Sequence, residues 1–165
     1  YAELFMSKSF FKYLLFAFVG SAILLACVKK NSYPTLPEIE YKDFFPYVGD
    51  SADLQVKFTD GDGDIGVNEN DSTRTFWVTY YYKDTITNKY VGYYHPFFND
   101  TLRTGYIIKL PEDSYKGKPI SGEISVRLQQ LRHSKKIKNV KYVIYLYDAA
   151  GNKSNVITSP EITVP

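Results

Sequence analysis

From Glu38 to Val164 the chain is written largely in a period of two. Leu54, Val56 and Phe58 alternate with Gln55, Lys57 and Thr59, and Ile124, Val126 and Leu128 alternate with Ser125 and Arg127. Tyr142, Ile144 and Leu146 likewise fall on one side of KYVIYLYD. Such alternation puts successive side chains on opposite faces of an extended backbone, the pattern of a strand buried on one side. The stretches PEIEYKDFF, RTFWVTYYYK, KYVGYY, GYIIKL and NVITSPEITV are short, β-branched and aromatic, and Gly, Pro, Asn and Asp separate them. No amphipathic helical period interrupts them. About eight strands predict an all-β fold, an antiparallel β-sandwich over residues 38–165, with a small closed barrel as the alternative. RTFWVTYYYK and KYVGYY, joined by DTITN, are expected to form a hairpin.

The amino-terminal stretch MSKSFFKYLLFAFVGSAILLAC has a different logic. Lys8 and Lys12 precede an apolar run from Tyr13 to Leu25, and the small Ala26 stands before Cys27, the layout of a secretion signal. The run is shorter than the roughly 20 apolar residues of a membrane-crossing helix, and Gly20 and Ser21 break it. Leu24-Leu25-Ala26-Cys27 resembles the lipobox of bacterial lipoproteins, whose cysteine is acylated and becomes the first residue after cleavage. That resemblance implies a signal peptide over residues 1–26, with its true start at Met6, and lipidation at Cys27. The Pro-containing VKKNSYPTLP then reads as a tether running to residue 37. The expected partner is a membrane, held through the acyl chains, each buried methylene contributing about 0.8 kcal/mol. Cys27 is the single cysteine, so no disulfide is expected once it is acylated. The formal charge of +2 implies no nucleic-acid partner.

Within the alternating region one loop stands out, VKFTDGDGDIGVNENDS. Three carboxylates spaced two residues apart repel one another unless a cation or free water screens them. Calcium takes six to eight oxygens and favours carboxylates, which an EF-hand loop supplies from positions one, three, five, seven, nine and twelve. With Asp60 at position one, Asp62 falls at three, Asp64 at five, the Gly66 carbonyl at seven, Asn68 at nine and Asp71 at twelve. Position six, normally Gly, is Ile65, and Asp71 is shorter than the usual Glu, so an EF-hand proper is not expected. A calcium loop between two strands is the expectation, against an acidic turn built from ordinary turn residues. Magnesium fits less well, since it demands near-ideal octahedral geometry, and zinc lacks a nearby His or Cys.

Support for catalysis is thin. His95 and His133 have no second ligand near them in sequence. No nucleophile elbow, zinc-protease helix or phosphate loop occurs, and nothing pairs two carboxylates across a cleft as a glycosidase requires. A non-enzymatic role is expected. Tyrosine is abundant, at 16 residues, which suits a pleated sheet with wet hydroxyls. The alternative is an aromatic platform for sugar rings, with Trp77, Tyr80, Tyr82, Tyr93 and Tyr94 as candidates. Because Phe76, Val78, Tyr80 and Tyr82 alternate with Trp77, Thr79 and Tyr81, the pattern leaves open which face is buried.

YVIYLYDAAGNKSN looks like the penultimate strand, tight turn and final strand of bacterial immunoglobulin-like domains. Together with the lipobox and FTDGDGDIG, it resembles small Bacteroidota lipoproteins. The resemblance implies a lipid-anchored immunoglobulin-like sandwich in the cell envelope and no activity. Val28, Lys29 and Lys30 after the cysteine, in place of acidic residues, point to the periplasmic face of the outer membrane. The expected role is a binding or structural module with a protein or glycan partner, or alternatively the carbohydrate-binding lipoprotein of a glycan-uptake system. In such a sandwich the loop after the second strand and the loop between the last two strands emerge at one end. Asp148 or Asn152 of DAAGN is therefore expected to approach the cation.

Overall fold

In the computed structural model the described residues are 32–97, 99–110 and 115–164. Cys27, the signal peptide and the first part of the tether lie outside them. The described part belongs to the unit Ser32–Pro165. Among the described residues no helix is long and apolar enough to cross a membrane.

The strands are β1 (Glu38–Tyr47), β2 (Ser51–Asp60), β3 (Phe76–Lys83), β4 (Tyr90–Gly92), β5 (Tyr94–His95), β6 (Asp100–Thr101), β7 (Arg103–Tyr106), β8 (Ile120–Gln129), β9 (Asn139–Leu146), β10 (Ile157–Thr158) and β11 (Ile162–Thr163). One sheet has the order β1-β2-β8 and the other β10-β9-β3-β4. β11 also pairs with β9, β7 also pairs with β3, and β5 pairs with β6. All of these pairings are antiparallel. The expected hairpin is β3–β4, with Lys83 opposite Tyr90 and Tyr81 opposite Gly92. Asp84 closes its turn, one carboxylate oxygen accepting from the Ile86 and Thr87 amides and the Thr87 hydroxyl.

The alternation seen in the sequence becomes one shared core. Ala52, Leu54, Val56 and Phe58 of β2 and Ile124, Val126 and Leu128 of β8 meet Phe76, Val78 and Tyr80 of β3 and Val140, Tyr142, Ile144 and Leu146 of β9. Phe44 of β1 stacks on Tyr142 of β9 at 5.9 Å between ring centres, so the rings bridge the two sheets. The result is an all-β, sandwich-like arrangement of two antiparallel sheets over one apolar interior.

The described residues hold 11 strands where about eight are expected: KYVGYY is divided between β4 and β5, β6 is additional, only Gly105 and Tyr106 of GYIIKL lie in a strand, β7, and the last stretch is divided as well. NVITSPEITV, read as one strand, is two short pieces on β9, because Pro160 has no N–H for a ladder. Two buried serines replace the missing ladder bonds. The Ser159 hydroxyl accepts from the Tyr142 amide at 3.0 Å while the Ser159 amide donates to the Tyr142 carbonyl at 2.9 Å. Ser154 does the same for Leu146, at 3.0 and 2.9 Å. Ser159→Ala leaves a buried strand amide without an acceptor and is expected to cost about 1–3 kcal/mol. A urea melt with an unchanged slope and a lower midpoint checks this, and an unchanged midpoint counts against it.

Asn155 performs a related task between the sheets. Its side chain accepts from the Ile39 amide at 2.7 Å and donates to the Ile39 carbonyl at 2.9 Å, tying the start of β1 to the segment between β9 and β10. The folded unit also begins earlier than residue 38. Pro37 is fully buried, and the Tyr33 and Pro34 carbonyls lie against Gly61.

Candidate metal centre

β2 ends at Asp60, which is fully buried, and the chain then passes through Gly61-Asp62-Gly63-Asp64 before Ile65 re-enters the core at 2% exposure. Ile65 pairs with Asp148, two residues beyond β9, and this bridge joins the two loops. The Ala149 amide donates to the Asp64 carbonyl at 2.9 Å, and the Ala150 amide to the Asp64 carboxylate at 3.1 Å.

The aspartates and glycines do different jobs. An ideal Cβ on Gly61 would stand 2.4 Å from the Tyr33 carbonyl oxygen, and one on Gly63 would stand 2.1 Å from that of Tyr115. Backbone from two distant segments therefore lies where side chains at these positions would be. The Gly117 amide donates to the Asp62 carbonyl at 2.5 Å, fixing the second of those segments. The carboxylates of Asp60, Asp62 and Asp64 in turn gather together, each offering an oxygen within 4.8 Å of the others.

In each of the three, the Oδ1 atom is buried and has no hydrogen-bond partner among the described residues. The other oxygen of Asp60 accepts from the Asp64 amide at 2.9 Å. Burial raises the pKa of Asp60, against the pull of that amide and with the Asp62 charge adding to the rise. Asp64 is pushed up to about 6, first by burial and then by the charges of Asp148, Asp62 and Asp60. A cluster that resists ionisation in this way is suited to a divalent cation, whose charge reverses the local cost.

Of the acids in the twelve-residue spacing, Asp60, Asp62 and Asp64 gather and Asp71 does not join them. The second half of the loop is organised around a cation of the chain's own, Lys109. Its ammonium donates to the Asn68 and Glu69 carbonyls at 2.8 and 2.7 Å and to the Asp71 carbonyl. The Asp71 carboxylate is turned to Thr73, accepting from its amide at 2.7 Å and its hydroxyl at 2.6 Å, and those bonds hold its pKa below the ordinary carboxylate range. Gly66 backs onto the Ile108 carbonyl. Asn68 and Asp71 are exposed, and Asp71 does not join the triplet. Asp148 lies beside the triplet without joining it, and each of its oxygens accepts one bond from Asn152, from the amide at 2.7 Å and the side chain at 2.8 Å. Lys109 and the covering segments at Tyr33 and Tyr115 carry no local sequence signal. Only Gly61 and Gly63, alternating with the acids, hint at a close backbone approach.

The five aromatic candidates do not form one surface. Strand alternation turns Phe76, Val78 and Tyr80 inward and Trp77 outward, where Arg103 lies over its ring at 5.3 Å. Tyr80 is 7% exposed, and burial pushes its pKa up to about 12. Tyr82 and Tyr93 pack on His133, with ring centres 4.6 and 4.0 Å away, so this histidine is a packed residue whose pKa burial lowers. Tyr94 is exposed and bonds Asn99 through its hydroxyl.

The fold and the site define a class: an all-β, sandwich-like protein with a carboxylate triplet where β2 ends beside the turn after β9. Comparison with protein-family models, curated proteins and solved structures returns no match.

Proposed function

We propose that the chain is a non-catalytic, lipid-anchored module of the bacterial cell envelope whose immunoglobulin-like sandwich is braced by one calcium ion at Asp60, Asp62 and Asp64. Two observations carry this reading: Asp60, Asp62 and Asp64 each bring a carboxylate oxygen within 4.8 Å of the others, and each has a buried oxygen without a hydrogen-bond partner among the described residues. Uncompensated buried charge costs several kcal/mol, and a divalent cation offsets it. An all-oxygen donor set suits calcium, while zinc prefers nitrogen and sulfur. The immunoglobulin-like reading is supported by two antiparallel sheets over one core and by the DAAGN turn that follows β9. The anchor rests on the Leu24-Leu25-Ala26-Cys27 site and the basic, apolar stretch before it. The same resemblance to Bacteroidota lipoproteins favours the periplasmic face of the outer membrane, with a protein or glycan as partner.

Calorimetric titration is expected to find one calcium site of about 10⁻⁴ to 10⁻³ M, the range of extracellular modules. The site should vanish in Asp60→Asn and Asp62→Asn; absence of calcium heat in the unaltered chain would refute the metal. The anchor is tested separately by the mass of the amino-terminal peptide from cells. Acyl mass on Cys27, lost in Cys27→Ala, is expected, and a soluble protein with no acyl mass would remove it.

A further inference from the structure

The edges of the two sheets are guarded unequally. β10 and β4, at the ends of the order β10-β9-β3-β4, are two and three residues long. β1, at one end of the other sheet, is interrupted by a register shift between Tyr41 and Asp43 and carries Lys42 and Pro46. Short strands, bulges, lysine and proline keep an edge from pairing with another chain. β8, at the opposite end of that sheet, has none of these. Its ten residues run against β2 in one unshifted register, and among the described residues its only backbone pairing is with β2. Its outward side chains, Ser121, Glu123, Ser125, Arg127 and Gln129, are all exposed, whereas those of central β2 are half-buried except at Lys57.

From this edge we infer that β8 pairs with the β8 of a second copy of the chain, antiparallel about a two-fold axis at Ser125, so that the β1-β2-β8 sheet continues across a dimer. A two-fold contact has to be self-complementary, and the order of residues in β8 is. With Ser125 opposite its own counterpart, Glu123 of each copy faces Arg127 of the other. On the inward side Ile124 then faces Val126, and Leu128 faces Gly122, which carries the apolar row across the junction. Sliding the axis to Ile124 or Val126 leaves both charges opposite neutral residues, and sliding it to Glu123 or Arg127 sets like charges face to face. The charge pattern extends past the two edge strands. Within one copy Glu40 stands opposite Lys57, Lys57 opposite Glu123, and Asp53 opposite Arg127. A row across the junction therefore reads Glu40, Lys57, Glu123, Arg127, Asp53, changing sign at every step, and the symmetry repeats it. Glu123 already bonds Lys42 at 2.5 Å and Arg127 bonds Asp53, yet their side chains stay 51% and 50% exposed, open to a second partner.

The test uses the full chain in zwitterionic detergent micelles at low salt. Density-matched sedimentation equilibrium is expected to show a reversible dimer with a dissociation constant on the order of 10 μM, since one strand pair makes a small interface. Arg127→Glu alone and Glu123→Arg alone are each expected to weaken the dimer at least about tenfold, because each sets two like-charged pairs face to face. Mixing the two variants is expected to restore association between unlike copies, where every facing pair is again of opposite sign. Loss through misfolding is not rescued by mixing. The axis is read in the Cys27→Ala chain with a short bifunctional thiol reagent. Ser125→Cys is expected to crosslink to its counterpart, and Ser121→Cys is not, since it lies about 27 Å from its own at about 3.4 Å per residue. A chain that stays monomeric at about 100 μM, tenfold above the expected constant, overturns the inference and leaves the β8 edge to a strand of another protein. A dimer that ignores both substitutions, as one held by the amino-terminal apolar stretch would, overturns it too. So does failure of the mixed variants to associate.

Discussion

Removing divalent cations at pH 7.5 is expected to lower the melting temperature of the protein by a few degrees, and the same treatment at pH 5 by much less. A few millimolar calcium acting on a site of about 10⁻⁴ to 10⁻³ M adds roughly 0.5–2 kcal/mol by mass action. For a domain of this size that is a shift of a few degrees. The pH dependence follows from the triplet. In the folded, cation-free chain burial and neighbouring charge push the Asp64 carboxyl up to about 6 and raise that of Asp60 as well, whereas an unfolded Asp stays at about 4. The folded state then binds protons more tightly, so cation-free stability falls as pH rises from about 4 through 6, by about 1–3 kcal/mol. Calcium competes with those protons, and its contribution grows over the same window. Asp53, Asp71, Asp84 and Glu161 are shifted the other way, so what they contribute is present above the ordinary carboxylate range and lost below it. Melts at pH 5, 6 and 7.5, with calcium and with chelator, separate the two windows. Asp64→Asn is expected to flatten the cation-free slope. A calcium shift that does not change with pH would contradict the raised carboxyls of Asp60 and Asp64.

The larger single-residue effect is expected at Gly63. Its φ of +69° lies in the left-handed region, where a residue with a Cβ loses about 1–2 kcal/mol. The new methyl would also stand 2.1 Å from the Tyr115 carbonyl oxygen and 2.5 Å from that of Lys118, both backbone atoms that cannot swing aside. Gly63→Ala is expected to cost on the order of 3 kcal/mol or more and to abolish calcium binding, because the 115–118 segment must leave the loop. Gly61→Ala meets the Tyr33 and Pro34 carbonyls instead, at 2.4 and 2.6 Å. It should release residues 32–37 from the domain. Proteolysis before β1, faster in Gly61→Ala than in the unaltered chain, reads that release directly. Gly117→Ala is the control, since its positive φ is shared but nothing lies within 4 Å of the added Cβ. Equal loss in Gly117→Ala and Gly63→Ala would show that backbone conformation alone decides, and that the close approach does not.

Much of the fold was legible along the chain because a strand's side-chain period is local. Leu54, Val56 and Phe58, then Ile124, Val126 and Leu128, then Tyr142, Ile144 and Leu146 are buried together as their alternation requires. The β3–β4 hairpin was legible too, since DTITN carries its own turn chemistry in Asp84. RTFWVTYYYK was not, because both of its faces are aromatic, and only pairing with β9 and packing on the other sheet decided that Phe76, Val78 and Tyr80 face inward. The aspartate triplet was visible as spacing, and a spacing of two places carboxylates together whatever the partners are. Which oxygens remain without partners is a tertiary matter. Lys109, from 38 residues further along the chain, takes the Asp71 carbonyl. Asn152 bonds Asp148 and Thr73 bonds the Asp71 carboxylate, while the carboxylates that gather are those of Asp60, Asp62 and Asp64. The sequence by itself determined the long alternating strands and the three acids. The packing of Tyr33, Tyr115 and Asp148 around them decided the site, because desolvation and hydrogen-bond competition depend on neighbours that the fold alone brings near.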